Sequence, residues 1–189
     1  MTEPVIETLN IDPAVALIFR LLLALVFASA VLHKLIAPRL FRAAVRDYQM
    51  LPDMLVTPVA AGFILMECTT ALALVVPVTA PFGVWGAAGL LLVYTGAIAF
   101  NLLRGRTHID CGCMGPAHVQ QLNAWLLLRN LPLLIMAWAA GLPVYDRGLL
   151  SWDYVTVIAA VMALGMLYVT MNQLLINAPG LRALLLRHD

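Results

Sequence analysis

Two cysteines one residue apart, Cys111 and Cys113, stand in the hexapeptide Asp110-Cys111-Gly112-Cys113-Met114-Gly115, with His108 and His118 on either side. Thiols at i and i+2 close a disulfide only where the backbone curls enough to bring their Cα atoms within about 7 Å, and Gly112 tolerates the dihedrals such a curl demands. A ring that small is strained, and strained or exposed disulfides are the labile, more oxidising ones that exchange. As a staple it would close so little chain that its entropic benefit would be minor. Thiol–disulfide exchange is therefore the sharper reading of the pair. Two others stay open: a metal site, because two imidazoles and two thiolates lie in one loop, and a structural or permanently reduced pair. The spacing is unlike that of structural zinc sites, so no metal ligand is assigned.

Arg129, followed by Asn130, lies beyond this loop at the start of an apolar run. A cation near Cys111 or Cys113 lowers a thiol pKa and makes the thiolate more available; the competing role for Arg129 is to snorkel to lipid headgroups. Arg20 and Glu67 are the other charges placed well inside apolar runs. Each costs roughly 2.5–3.5 kcal/mol at a membrane helix centre unless it has a partner or a task. Counting about 1.5 Å per residue puts both at a similar depth, roughly 9–14 Å from one surface, so a structural ion pair between them is expected. His33 and Lys34 close the first apolar run and read as interfacial anchors. Cys68, next to Glu67, reads as a small apolar side chain too deep to exchange directly with Cys111. Nothing resembles a phosphate-binding glycine loop, a hydrolase triad or a paired-carboxylate site, so no cofactor is expected.

The elements that position these residues follow from composition. Of 189 residues, 63% are hydrophobic and 11% charged, and the mean hydropathy is +0.94. Soluble domains run closer to about 45–50% apolar and about 25% charged, so this is an integral membrane protein. A net charge of +1 with no basic, aromatic-interleaved stripe excludes a nucleic-acid partner. Three cysteines are too few for a disulfide-stapled fold. The opening residues carry Glu3, Glu7 and Asp12 with no cation, unlike a secretory signal, so the first apolar run is expected to be retained.

In lipid every backbone polar group must be satisfied within its own segment, so apolar runs of roughly 20 residues read as spanning helices. Five qualify, at about 14–37, 55–76, 82–103, 123–140 and 154–176. Between the first two, residues 39–51 place Leu40, Phe41, Ala44, Val45 and Tyr48 opposite Arg39, Arg42, Arg46 and Asp47. That pattern suits a helix lying in the membrane interface. The fold expected is an all-α polytopic bundle, a four-helix core plus a fifth transmembrane helix, in one membrane domain over 1–189, with the cysteine loop at 104–122. Lys34, Arg39, Arg42, Arg46, Arg104, Arg106, Arg182 and Arg187 fall on one side and only Arg147 on the other. The positive-inside rule then puts the cysteine loop in the cytoplasm.

Arg20 with the run Leu23-Ala24-Leu25-Val26-Phe27, His33-Lys34-Leu35, Phe41, Tyr48, Leu51-Pro52, Glu67, the Asp110–Gly115 hexapeptide and Arg129-Asn130-Leu131 together resemble the methylamine-utilisation MauE family, within a wider MauE/DoxX group of redox-associated membrane proteins. The resemblance runs from about Arg20 to about Ala140; Met114 stands where the family commonly has a bulky aromatic. It implies a multi-pass protein of the bacterial inner membrane that supports maturation of the methylamine dehydrogenase small subunit beside a thioredoxin-like, MauD-like partner. Cys111 and Cys113 would be the exchanging pair. A periplasmic client of that kind is served most directly from outside, opposite to the side the charge rule gives the loop. A metal-handling or transport protein using His108, Cys111, Cys113 and His118, and a noncatalytic assembly factor, are the alternatives.

Overall fold

The computed structural model describes residues 10–107, 109 and 122–185, with side chains to residue 174. Cys111, Cys113, His108 and His118 lie outside the described residues. Six helices follow in order: α1 (Pro13–Ile36), α2 (Pro38–Asp47), α3 (Asp53–Val75), α4 (Ala80–Leu103), α5 (Ala124–Ala140) and α6 (Ser151–Leu185). There is no strand among the described residues, and α1, α3, α4 and the Ser151–Leu174 part of α6 are each long and apolar enough to cross a membrane. The chain is thus an all-α, multi-pass membrane bundle. At 17 residues, α5 is shorter, about 25 Å against a hydrocarbon core of about 30 Å.

Local chemistry sets the helix ends. The Asp12 side chain accepts from the Ala14 N–H at 2.8 Å, and Pro13, which has no N–H to satisfy, occupies the first turn of α1. Pro38 starts α2 and breaks it from α1. Asn123 caps α5 by accepting from the Leu126 N–H at 3.3 Å. The turn between α3 and α4 is tight enough that a Cβ on Gly83 would lie 2.6 Å from the Leu74 nitrogen. Only a residue without a side chain fits there.

Helix α1 is central, packing on α3, α5 and α6, while α4 joins α3 to α5. Leu23, Phe27, Leu74, Leu90, Leu133 and Ala137 fill the core between α1, α3, α4 and α5. Helix α2 lies against α3, burying Phe41 and Ala44 and turning Arg46 outward, where it pairs with Asp53 at 3.3 Å. This is the amphipathic division that its sequence predicts.

At the end opposite α2, the chain before α1 is clasped to the α5–α6 connection. Ile11 N–H donates to Pro143 C=O at 2.9 Å and Tyr145 N–H to Ile11 C=O at 3.0 Å. Arg147 lies between two carboxylates, 2.8 Å from an oxygen of Asp12 and 2.8 Å from one of Asp153. Hydrogen bonding from Arg147, and then from the Ala14 N–H, holds the Asp12 carboxyl below its ordinary 3.8, while the bonds to Asp12 and then to Asp153 raise Arg147. Because the folded-state value of Asp12 is depressed, its contribution is complete above the ordinary carboxylate value and is lost as the pH falls through the depressed one. Arg147→Ala is expected to accelerate hydrogen exchange at the Ile11 and Tyr145 amides at neutral pH, and the wild type to lose that protection only in acid below the ordinary Asp range. Unchanged exchange in the variant would show that the backbone bridge stands without the ion pairs.

Candidate functional site

The most deeply buried charges meet where α1, α3 and α4 come together. Lys34 and Glu67 are 3% and 1% exposed and form a salt bridge, with Lys34 Nζ donating to Glu67 Oε1. Tyr94 of α4 closes a triangle: its hydroxyl accepts from Lys34 Nζ at 3.2 Å and donates to the same Glu67 oxygen at 2.7 Å. The ammonium also stands over two rings, 4.7 Å from the Phe41 centroid and 4.9 Å from that of Tyr94. Glu67 Oε2 is buried with no hydrogen-bond partner among the described residues.

The structure therefore departs from the pairing expected from depth. Glu67 is held by Lys34 and Tyr94, not by Arg20. Arg20 instead donates through Nε and Nη2 to the Leu74 carbonyl, at 3.4 and 3.3 Å. The reason is direction. Side chains on a helix lean toward its N-terminus, so on antiparallel α1 and α3 Arg20 leans toward the α3 C-terminal end while Glu67 leans the other way. Lys34 leans up α1 toward Glu67 and reaches it. It is consequently a buried partner and not the interfacial anchor that its place at the end of an apolar run suggests.

A cavity of about 300 Å³ opens beside this triangle, walled by α2, α3, α4, the turn after α2 and, at one end, Lys34 of α1. Lys34 and Tyr94 form its polar end; Phe41, Tyr48, Phe63 and Ile98 are among the side chains of its apolar wall. The Phe63 and Tyr94 rings lie 5.5 Å apart at 31°. Four residues that carry the family resemblance, Lys34, Phe41, Tyr48 and Leu51, line this one space.

The cysteine loop enters and leaves next to the same wall. Leu122 N–H donates to Ile109 C=O at 3.0 Å, closing the loop at its neck. Leu122 and Leu126 pack with Ile98 in a small core, with Ile109 and Tyr48 against it. Ile98 and Tyr48 thus belong both to the neck of the loop and to the cavity. Arg129 is half-buried on α5, its Nη1 2.9 Å from Asn172 Oδ1 on α6, and its neighbour Asn130 donates to Thr95 Oγ1 at 3.1 Å. Cys68 is a free thiol facing outward from α3, one residue but a third of a turn away from buried Glu67.

With this geometry in place, comparison with known proteins decides the family. The model for "Methylamine utilisation protein MauE" matches residues 12–143. The chain belongs to the MauE family. It is 44% identical over 136 residues to the methylamine utilization protein MauE of Paracoccus denitrificans, covering 70% of this chain and 73% of that protein. To the MauE of Methylophilus methylotrophus it is 34% identical over 176 residues, 92% of each chain. To that of Methylorubrum extorquens it is 39% identical over 134 residues, 70% of this chain and 72% of the other. No solved structure matches the chain significantly. This MauE-family chain is accordingly a membrane protein of methylamine utilisation.

Because the alternative to the Lys34–Glu67 pair is a lone charge in an apolar interior, removing either partner is expected to cost about 3–5 kcal/mol. In detergent, Lys34→Ala and Glu67→Ala should each lower the thermal unfolding midpoint strongly, and Lys34→Met with Glu67→Leu together should lower it by less than the two alanine variants summed. Additive losses would mean that the pair does not couple α1 to α3.

Proposed function

We propose that this MauE-family protein is a thiol–disulfide redox protein of the bacterial inner membrane that supports maturation of the methylamine dehydrogenase small subunit, with Cys111 and Cys113 as the exchanging pair. The observation that carries the reading is the cysteine pair on a loop whose neck, Ile109 to Leu122, is pinned by a backbone hydrogen bond and packed into the bundle. Fixing both ends of a short loop restricts where its thiols can go, which favours attack on a docked partner over random collision. Family membership in methylamine utilisation supplies the pathway.

Exchange in this scheme is balanced. The Cys111–Cys113 disulfide accepts two electrons from a client dithiol through a mixed disulfide, leaving the client oxidised and the pair reduced. A thioredoxin-like, MauD-like protein is the partner that relays between them. Arg129 sits in the second turn of α5, just past the loop, where a cation favours the thiolate of the pair; its guanidinium is hydrogen-bonded to Asn172 of α6. The whole chain acts as a single membrane domain.

Cys111→Ser and Cys113→Ser should each abolish accumulation of mature dehydrogenase while the variant protein still inserts. Normal dehydrogenase in both variants would overturn the redox reading in favour of a noncatalytic assembly factor, and a stoichiometric metal ion lost on His118→Ala would favour a metal-handling one. Arg129→Gln should shift the pH profile of thiol alkylation upward. In intact cells, labelling with an impermeant thiol reagent after reduction is expected to fail if the loop faces the cytoplasm, as the charge distribution directs, and to succeed if it faces the periplasmic client.

A further inference from the structure

We propose that the cavity between α2, α3 and α4 binds the ring of a lipid-soluble quinone and that this quinone reoxidises the Cys111/Cys113 pair. The site assignment rests on the cavity; the electron-transfer half rests on the redox reading above. At about 300 Å³ the cavity is at the lower end of the range of ligand sites, roughly 300–1,000 Å³, and suits one ring with its first substituents. Its walls are aromatic, with Phe41, Tyr48, Phe63 and Tyr94 available to stack on a planar ring. Its rim includes Met50 and Val93, 49% and 52% exposed, so a ligand arriving from the bilayer has a way in.

The polar end selects the chemistry. A quinone carbonyl accepts hydrogen bonds, and Lys34 Nζ at the cavity wall is a donor held in place by Glu67 and Tyr94. Because Glu67 already neutralises Lys34, the pocket offers a phosphate headgroup no net positive charge, whereas an uncharged carbonyl loses nothing by the pairing. Glu67 Oε1 accepts from both Lys34 and Tyr94, so one buried carboxylate fixes both polar groups at this end of the cavity. The reaction balances: the two thiols lose two electrons and two protons as the S–S bond forms, and the two quinone oxygens gain them as hydroquinone hydroxyls. Tyr48 and Ile98, shared by the cavity and the packing around the loop neck, put the start and end of the cysteine loop against this site.

Full-length protein in nanodiscs, photolabelled with an azido-substituted decylubiquinone, tests the assignment. Label is expected on cavity peptides containing Tyr48, Met50 or Phe63, suppressed by excess decylubiquinone and unaffected by added phosphatidylethanolamine. Ala44→Phe and Ala97→Phe, which put a ring into the space the ligand needs, should each cut it by roughly tenfold with the helical circular dichroism unchanged. Label scattered over outward-facing residues such as Leu65 and Phe82, label that excess quinone does not suppress, or suppression by phosphatidylethanolamine, the mark of a simple lipid groove, would each overturn it, and none of these depends on the variants folding. The Cys111→Ser/Cys113→Ser protein should label like the wild type, and pre-reduced wild type should form one hydroquinone per cysteine pair while that variant forms none. Competed labelling of the cavity without hydroquinone from the wild type would overturn the electron-transfer half and the redox reading together, and leave the binding site standing.

Discussion

The bundle depends on a pair of charges that has to stay paired. Lys34 and Glu67 are almost wholly buried, and an unpaired ion at that depth would cost several kcal/mol. Salt bridge, tyrosine hydroxyl and two aromatic faces together replace the water that the ammonium gives up. Fourteen residues up α1, about 21 Å, Arg20 makes a second polar tie, to the Leu74 carbonyl of α3. Apolar side chains sliding against one another in lipid have little to choose between neighbouring registers, since lipid tails are as apolar as leucine. Two polar ties at different heights remove that freedom, because a shift of one turn would break both.

That register has a further effect, on α2. Helix α2 has no apolar length to enter the bilayer, yet it buries Phe41 and Ala44 against the bundle and leaves Arg46 outside. Phe41 lies under the Lys34 ammonium, so the interfacial helix is held partly by the same buried charge that ties α1 to α3. The space left between α2 and the spanning helices is the cavity. It is a consequence of seating a short amphipathic helix on a surface of antiparallel helices, with Tyr48 and Met50 closing its edge.

The helices were legible because the bilayer leaves few alternatives: a run of about 20 apolar residues with no water to satisfy its backbone must coil. The amphipathic face of α2 was equally plain from the alternation of Phe41, Ala44 and Tyr48 with arginines. The membership in the MauE family was carried by short motifs and is shown by the comparisons. The partner of Glu67 was not legible. Depth counting locates Cα atoms along the membrane normal, but the reach and lean of a lysine or glutamate exceed a helical turn, and on antiparallel helices the leans are opposed. Lys34 at the end of an apolar run looks like any snorkelling lysine until α3 and α4 are placed beside it. The cavity was invisible for a related reason: its walls come from segments as far apart as Phe41 and Ile98, and no local pattern marks an unfilled space between them.

The neck of the loop and the cavity are mechanically joined through shared side chains, Tyr48 and Ile98. Ile98 is 1% exposed and Leu122 is 1% exposed, so the contact between the cavity wall and the neck of the loop is part of the packed interior and not a surface touch. Packed interiors shift between discrete arrangements instead of deforming smoothly. A shift of Tyr48 or Ile98 is therefore felt at Leu122 and Ile109, which pack in the same small core and are joined by a backbone hydrogen bond, so the wall of the cavity and the neck of the loop hold their positions together.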